Sequence, residues 1–166
     1  TRYGTVTGVQ TCALPISTTG DLTVPLSVTD FHYNSDPSSR LGAFAGITEP
    51  GELLWITTQS FGALGTTIGT AYTFTSPTFG VFSGVVFNET SFNAGASTGS
   101  GNRTLDLVGT FTPGTNAHYE GDINALSGTT LQIASSRSPG GSVNVSWSFE
   151  TKDVPEPTSM AIFGMG

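Results

Sequence analysis

Residues 143–149, VNVSWSF, decide the fold class of this chain, because apolar and polar side chains alternate through them without a break. Val143, Val145, Trp147 and Phe149 would share one face of an extended strand, with asparagine and serine on the other. Trp147 is in phase with three apolar neighbours, so we expect it to pack in the core. The stretch predicts a β-strand with one buried face.

The same two-residue period recurs over most of the chain, and no segment sustains a helical period of 3.6 residues. Further strands are predicted at 22–33, 53–61, 67–75, 79–92, 105–111 and 131–133. Pro25 lacks a backbone donor, which predicts an edge position for the first of these strands. The run from Phe79 to Phe92 carries apolar residues on both faces, which predicts a central strand. The glycine-rich stretch 93–102 is predicted to be a flexible loop.

Strands at this spacing predict an all-β fold, an antiparallel β-sandwich with about seven to nine strands and flexible ends. A jelly-roll-like strand order is compatible with the pattern. The length of 166 residues suits a single domain.

Charge and composition disfavour some classes of partner. Charged residues make up only 10% of the chain, the net charge is −7, and Lys152 is the single lysine. A nucleic-acid partner is disfavoured, because binding needs cations that displace counterions. An anionic membrane surface is disfavoured for the same reason. Abundant threonine, serine, glycine and asparagine fit an exported protein.

The N-terminal stretch Thr7–Ser17, TGVQTCALPIS, resembles a translated sequencing adapter. The resemblance implies that residues 1–17 are not native and that the domain proper covers residues 18–153. The alternative is an ordinary edge strand. Cys12, the only cysteine, lies in this stretch; it cannot form an internal disulfide, and no basic neighbour activates it.

The C-terminal residues 154–166 change abruptly in character. Two prolines bracket Glu156 and favour a stiff, extended spacer, and an apolar run begins at Met160. Val154, Pro155, Glu156 and Pro157, followed by this run, resemble the PEP-CTERM sorting signal of Gram-negative bacteria. Nine residues follow Pro157, whereas a membrane helix needs about 20. We therefore expect residues 154–166 to be a truncated signal.

The PEP-CTERM resemblance implies export, processing by an exosortase-type membrane enzyme, and delivery to the cell surface or extracellular matrix. Membrane anchoring would be transient, through a helix beyond Gly166. Exopolysaccharide is an implied partner, because such proteins often belong to bacteria that make it. No activity is assigned to similar protein bodies, so no catalytic residue is transferred.

Histidine and carboxylate residues alternate at two places and are the metal candidates of the sequence. These are Asp30 and His32 on one predicted strand, and His118, Glu120 and Asp122 on another. Each set would project from one face, and neighbouring strands could then hold a divalent cation. The alternative is a solvent-facing polar strip. Calcium in an unassigned loop is a further possibility, although no EF-hand spacing occurs.

The sequence has no phosphate loop or dinucleotide motif, and we read its many serines as an abundant background rather than as a marked nucleophile elbow. Nothing selects two of its carboxylates as a glycosidase pair. We therefore expect a non-enzymatic surface or matrix protein that needs no cofactor. The alternative is a carbohydrate-binding module, in which aromatic residues would stack on sugars. Trp55 is a candidate for this role, although the pattern favours a core position for it. A polysaccharide-active hydrolase is the third and most distant hypothesis.

Overall fold

The computed structural model describes residues 4–10, 20–28, 31–32, 40–42, 53–55, 59–76, 79–95, 99–115, 126–139 and 143–151. None of these residues is helical, and the predicted all-β class is confirmed. The strands are β1 (Gly4–Gln10), β2 (Leu26–Val28), β3 (Phe31–His32), β4 (Arg40–Gly42), β5 (Leu53–Trp55), β6 (Gln59–Phe61), β7 (Ala71–Ser76), β8 (Gly80–Phe92), β9 (Gly101–Pro113), β10 (Leu126–Arg137) and β11 (Val143–Thr151). Within the described ranges, no helix is long and apolar enough to cross a membrane.

Seven of the described strands form one antiparallel sheet with the order β4-β1-β11-β10-β9-β8-β7. From β7 to β11 each strand pairs with the next one along the chain, as expected when short connections join neighbours. This up-and-down order differs from that of a jelly roll. Strand β1, within residues 1–17 that the adapter resemblance implies are not native, pairs with β11 from Gly4 opposite Thr151 to Gln10 opposite Val145.

Two further small antiparallel sheets are present in the described residues, β2 with β6 and β3 with β5. Leu26 of β2 and Phe61 of β6 are buried in the same apolar cluster as the large sheet, which gives the predicted sandwich arrangement. The cluster comprises Leu26, Phe61, Phe74, Phe79, Phe82, Val86, Leu105, Leu107, Phe111, Leu131, Ile133, Val145, Trp147 and Phe149. The predicted core position of Trp147 is confirmed.

Aromatic rings fill the centre of this core. The ring of Phe149 lies 5.0 Å from that of Phe111, 5.6 Å from that of Phe82 and 5.9 Å from that of Phe79. All three contacts are edge-on, an arrangement that aromatic quadrupoles favour. The buried rings of Phe79, Phe82, Phe111 and Phe149 therefore serve packing.

The single strand predicted at 22–33 is divided, because β2 begins only at Leu26 and β3 pairs in a different small sheet. Asp21 Oδ1 accepts hydrogen bonds from Thr23 N at 2.9 Å and from Thr23 Oγ1 at 2.6 Å. An aspartate that binds the backbone two residues on forms a local turn, which competes with strand pairing. Within the described residues β2 pairs only with β6, so the edge position predicted from Pro25 is confirmed.

Strand β8, predicted to be central, lies between β7 and β9 but is buried on one face only. Phe82 and Val86 are buried, whereas Val85 is 41% exposed and Phe87 is 55% exposed. The pairing of β8 with β9 shifts between Val86 and Asn88, so Phe87 lies at a β-bulge. The predicted central position is confirmed, and the apolar residues on the second face mark an uncovered surface.

Candidate functional site

The structure does not assemble the predicted metal site from described residues. His32 lies in β3, opposite Leu53. Outside the described residues lie Asp30, His118, Glu120, Asp122 and the motif residues Val154, Pro155, Glu156 and Pro157. Among the residues that are described, no group of three or more His, Cys, Asp or Glu could hold a metal ion.

The structure instead buries two arginines on the core face of the large sheet. Arg103 of β9 is 1% exposed and Arg137, at the end of β10, is 2% exposed. Arg103 lies opposite Ser135 and Arg137 lies opposite Gly101, so the two guanidinium groups are diagonal neighbours. Buried charge is costly unless it is paired and fully hydrogen-bonded. The hydrogen-bond and ion-pair partners of each guanidinium therefore show what each arginine holds in place.

Arg103 forms a buried ion pair with Glu89 of β8. Arg103 Nε and Nη2 lie 2.8 and 2.7 Å from Glu89 Oε1, and the glutamate side chain is 2% exposed. Glu89 Oε2 accepts a hydrogen bond of 2.8 Å from the backbone N–H of Gly65. The bulge at Phe87 makes this pairing possible, because it shifts β8 by one residue and turns Glu89 toward the core.

The rest of the Arg103 guanidinium binds backbone carbonyls of two loops. Nη2 donates to Gly62 O at 2.7 Å, and Nη1 donates to Val24 O at 3.2 Å and to Leu22 O at 3.4 Å. The group thus joins the segment before β2 and the loop after β6 to the large sheet.

In the hydrogen bonds described for Arg137, every acceptor is a backbone carbonyl. Nε donates to Gly99 O at 2.8 Å, Nη1 to Gly20 O at 2.7 Å and Gly95 O at 2.6 Å, and Nη2 to Asn93 O at 2.6 Å. These carbonyls belong to the segment before β2 and to both ends of the loop between β8 and β9. The ends of the loop predicted to be flexible are therefore held by one guanidinium; residues 96–98 lie outside the described residues.

Glycine at position 101 gives Arg137 the space that it needs. A Cβ atom there would lie 2.7 Å from Arg137 Nη2 and 2.3 Å from Asn93 O. Since a real Cβ does not approach a backbone oxygen so closely, a larger residue would displace the loop from the guanidinium.

We call Arg103, Glu89 and Arg137 the arginine clamp.

Asp21 lies beside the clamp, and hydrogen bonds lower the pKa of its carboxyl group. The largest cause is the bond from the Thr23 hydroxyl, followed by the Thr23 backbone N–H, while the charge of Arg137 contributes less. Desolvation acts in the opposite direction. The charged form therefore stabilises the turn that precedes β2.

We expect the stabilisation by Asp21 to be lost at acid pH. Because the folded-state pKa is lowered, the contribution is complete above the ordinary value of 3.8 and disappears as pH falls through the lowered pKa. Asp21→Asn keeps an oxygen acceptor but cannot ionise. The difference in urea midpoint between wild type and Asp21→Asn should shrink between about pH 6 and about pH 2. A difference that stays constant or grows over this range would contradict the assignment.

The outer face of the large sheet carries a row of three polar side chains on adjacent strands, which we call the amide row. Asn88 of β8 and Gln132 of β10 both lie opposite Asp106 of β9. Asn88 Nδ2 donates to Asp106 Oδ2 and Gln132 Nε2 donates to Asp106 Oδ1, each at 2.8 Å. The carboxylate thus fixes the orientation of two planar amides.

The four carboxylates within the described ranges lie at three separate places. Glu89 faces the core, Asp21 lies in the turn before β2, and Asp106 and Glu150 belong to the outer face. From strand spacing and register, the backbones of Asp106 and Glu150 are roughly 12 Å apart. Glycosidases place their carboxyl groups about 5–9.5 Å apart across a substrate. The backbone positions of Asp106 and Glu150 are thus farther apart than that range.

A small depression beside the segment before β2 is also unsuited to a metabolite. Leu22, Val24, Leu26, Ser135 and Val143 contribute to its lining, and its volume is about 10 Å³. A cavity of this volume holds one water molecule at most, whereas metabolite pockets are on the order of 300 Å³ or larger.

Comparisons with protein-family models, with curated proteins and with solved structures found no match. The proposals below therefore rest on the residues themselves.

Sequence reasoning did not identify the clamp or the amide row, although the sequence contained a signal for the two arginines of the clamp. Arg103 is in phase with the core residues Leu105 and Leu107, and Arg137 is in phase with Leu131 and Ile133. Alternation alone therefore places both arginines on the buried face.

Proposed function

We propose that this chain is an exported, non-enzymatic surface or extracellular-matrix protein of a Gram-negative bacterium, processed by an exosortase-type enzyme. The observation that carries the non-enzymatic part is the state of the described carboxylates. Among the four described carboxylates, Glu89 is ion-paired with Arg103, Asp21 accepts hydrogen bonds from Thr23, Asp106 accepts hydrogen bonds from two amides, and Glu150 is exposed on β11. A catalytic acid or base must instead be free to exchange a proton with a substrate.

The sorting part of the proposal rests on the motif Val154–Pro157 and the apolar run that follows it. The outer strand faces add support, because the exposed positions of β10 and β11 include the uncharged polar residues Gln132, Ser136, Asn144 and Ser146. Such a surface is hydrated through hydroxyl and amide groups and suits a protein outside the cell. The processing enzyme is a transient partner, and a membrane anchor serves only during sorting.

A carbohydrate-binding module is the second candidate function. The amide row favours it, since oriented amides and a carboxylate are groups that hydrogen-bond sugar hydroxyls. The exposed ring of Phe87, next to Asn88 in sequence, adds an apolar surface. The aromatic side chains of the core cluster are unsuited to that purpose, because they are buried.

A processing assay tests the sorting proposal. The protein would be expressed from its complete gene in a Gram-negative bacterium with an exosortase, as wild type and as a Pro155→Ala, Glu156→Ala double variant. We expect the wild type at the surface or in the medium in a shortened form. The variant should remain in the membrane fraction at full length, because the enzyme can no longer recognise the motif.

Thr158→Ala provides the matched control, since it lies directly after the motif and outside the Pro-Glu-Pro sequence. The control should be processed like the wild type. Equal processing of the wild type and the double variant would refute the sorting proposal.

A further inference from the structure

We propose that the outer face around Asn88, Asp106 and Gln132 binds a neutral polysaccharide. This inference rests on the proposed location outside the cell, where such polymers are present. It goes further in naming the chemical class of the partner and the residues that would contact it.

The amide row presents hydrogen-bonding groups in fixed positions. Asp106 uses both carboxylate oxygens to hold one N–H of each amide. In the described part of the chain, Asn88 Oδ1 and Gln132 Oε1 accept no hydrogen bond, and each amide keeps a second N–H. Groups that are already oriented lose little side-chain entropy on binding. Both donors and acceptors are available, as recognition of hydroxyl groups requires.

An apolar strip lies beside the row. Val85 of β8 and Val108 of β9 lie directly opposite each other and are 41% and 39% exposed. Phe87 follows at the bulge and is more than half exposed. A pyranose ring has the same division, with apolar C–H faces and a rim of hydroxyl groups. The pairing of a polar row with an apolar strip therefore complements a sugar better than it complements a uniformly polar partner.

The charge of this face selects among polysaccharides. In strands β8 to β11, the two arginines Arg103 and Arg137 are turned into the core. The charged residues at outer positions of β8 to β11 are the carboxylates Asp106 and Glu150. Such a face repels uronate-rich and other anionic polymers. A neutral polymer avoids this repulsion, and its hydroxyl groups can use the amides and the carboxylate.

The spacing of the row suits an extended polymer. Adjacent strands are about 4.8 Å apart, so the three side chains span roughly 10 Å across the sheet. Gln132 lies opposite Ser148 of β11, which is partly exposed, so the polar row continues by one further strand. A polymer crossing the strands would meet successive side chains with successive sugar units. Binding should therefore increase with oligosaccharide length.

The test is affinity electrophoresis and calorimetry of the purified chain with three neutral probes, namely dextran, galactomannan and cello-oligosaccharides, and with alginate as the anionic probe. We expect binding to at least one neutral probe and none to alginate. Asp106→Ala and Gln132→Ala should each weaken that binding at least tenfold. Thr110→Ala, an exposed change on β9 away from the row, should leave it unchanged.

Thermal unfolding of each variant shows whether a loss of binding reflects unfolding. Phe87→Ala changes the exposed apolar strip instead of the amide row, and it also lies outside the core. The proposal is overturned if no neutral probe binds, if only alginate binds, or if the row variants bind as the wild type does. An ordinary solvated sheet face would give the first of these results. Because binding is measured on purified protein, its failure would leave the processing assay and the sorting proposal unaffected.

Discussion

Replacing Arg137 by methionine should lower the free energy of unfolding by about 4 kcal/mol. Methionine fills much of the same space but donates no hydrogen bond. The carbonyls of Gly20, Asn93, Gly95 and Gly99 would lose their donor at once. Each hydrogen bond to a charged group contributes about 1.5–3 kcal/mol, and local relaxation recovers part of the sum. Chemical denaturation of wild type and variant measures the effect.

Two further variants show whether the guanidinium shape matters. Arg137→Lys keeps the charge, but a single ammonium cannot reach four carbonyls arranged around a planar fork, so a loss of more than 1 kcal/mol is expected. Ser136→Ala changes the exposed neighbour on the same strand and should stay within about 0.5 kcal/mol of the wild type. A stability of Arg137→Met within that same margin would contradict the role assigned to Arg137.

Replacing Glu89 by glutamine should lower the free energy of unfolding by about 3–5 kcal/mol. The change leaves the Arg103 guanidinium buried without its countercharge, and it weakens the acceptor for Gly65 N–H. Glu150→Gln is the matched control, because it makes the same chemical change at an exposed position of β11. The control should shift stability by less than about 0.5 kcal/mol.

Salt separates the buried pair from a surface effect. A buried pair is screened much less than an exposed one, so the destabilisation by Glu89→Gln should persist at about 1 M salt. A double-mutant cycle of Glu89→Gln with Arg103→Met should give a large coupling free energy, since the two side chains are in direct contact. Additive effects of the two changes would show that the ion pair does not hold these strands together.

Strand positions and their buried faces were largely predictable from the sequence. The alternation of residues 143–149 predicted β11 and the burial of Trp147, and both are confirmed. Alternation succeeds here because a strand with one buried face repeats every two residues. The same period placed Arg103 in phase with Leu105, but arginine is so rarely buried that a core position was not predicted.

Glu89 was not predictable, because its orientation depends on the bulge at Phe87. Continuing the phase of Phe82 and Val86 would direct Glu89 to solvent. The sequence around the bulge is apolar in both phases, so nothing in it marks the shift. Its consequence appears only when β8 is paired with β9 and Glu89 is brought diagonally next to Arg103.

The amide row shows a second limit of periodic patterns. Alternation assigns Asp106 and Gln132 to the polar face of their own strands, but it does not determine which residues of neighbouring strands lie opposite each other. That register depends on the loops between the strands and on local bulges. The contacts of Asp106 with Asn88 and Gln132 therefore required the structure.

Native-state hydrogen exchange at the Leu22 amide, which donates to Ala94 O at 2.8 Å, most directly tests whether Arg137 holds the loops to the sheet. In the wild type this amide should be strongly protected. In Arg137→Met its exchange should accelerate by a larger factor than that of the Ile133 and Trp147 amides within the sheet. Two results would contradict the clamp. One is a Leu22 amide that exchanges freely in the wild type. The other is a Leu22 amide whose exchange in Arg137→Met accelerates only by the same factor as that of the sheet amides.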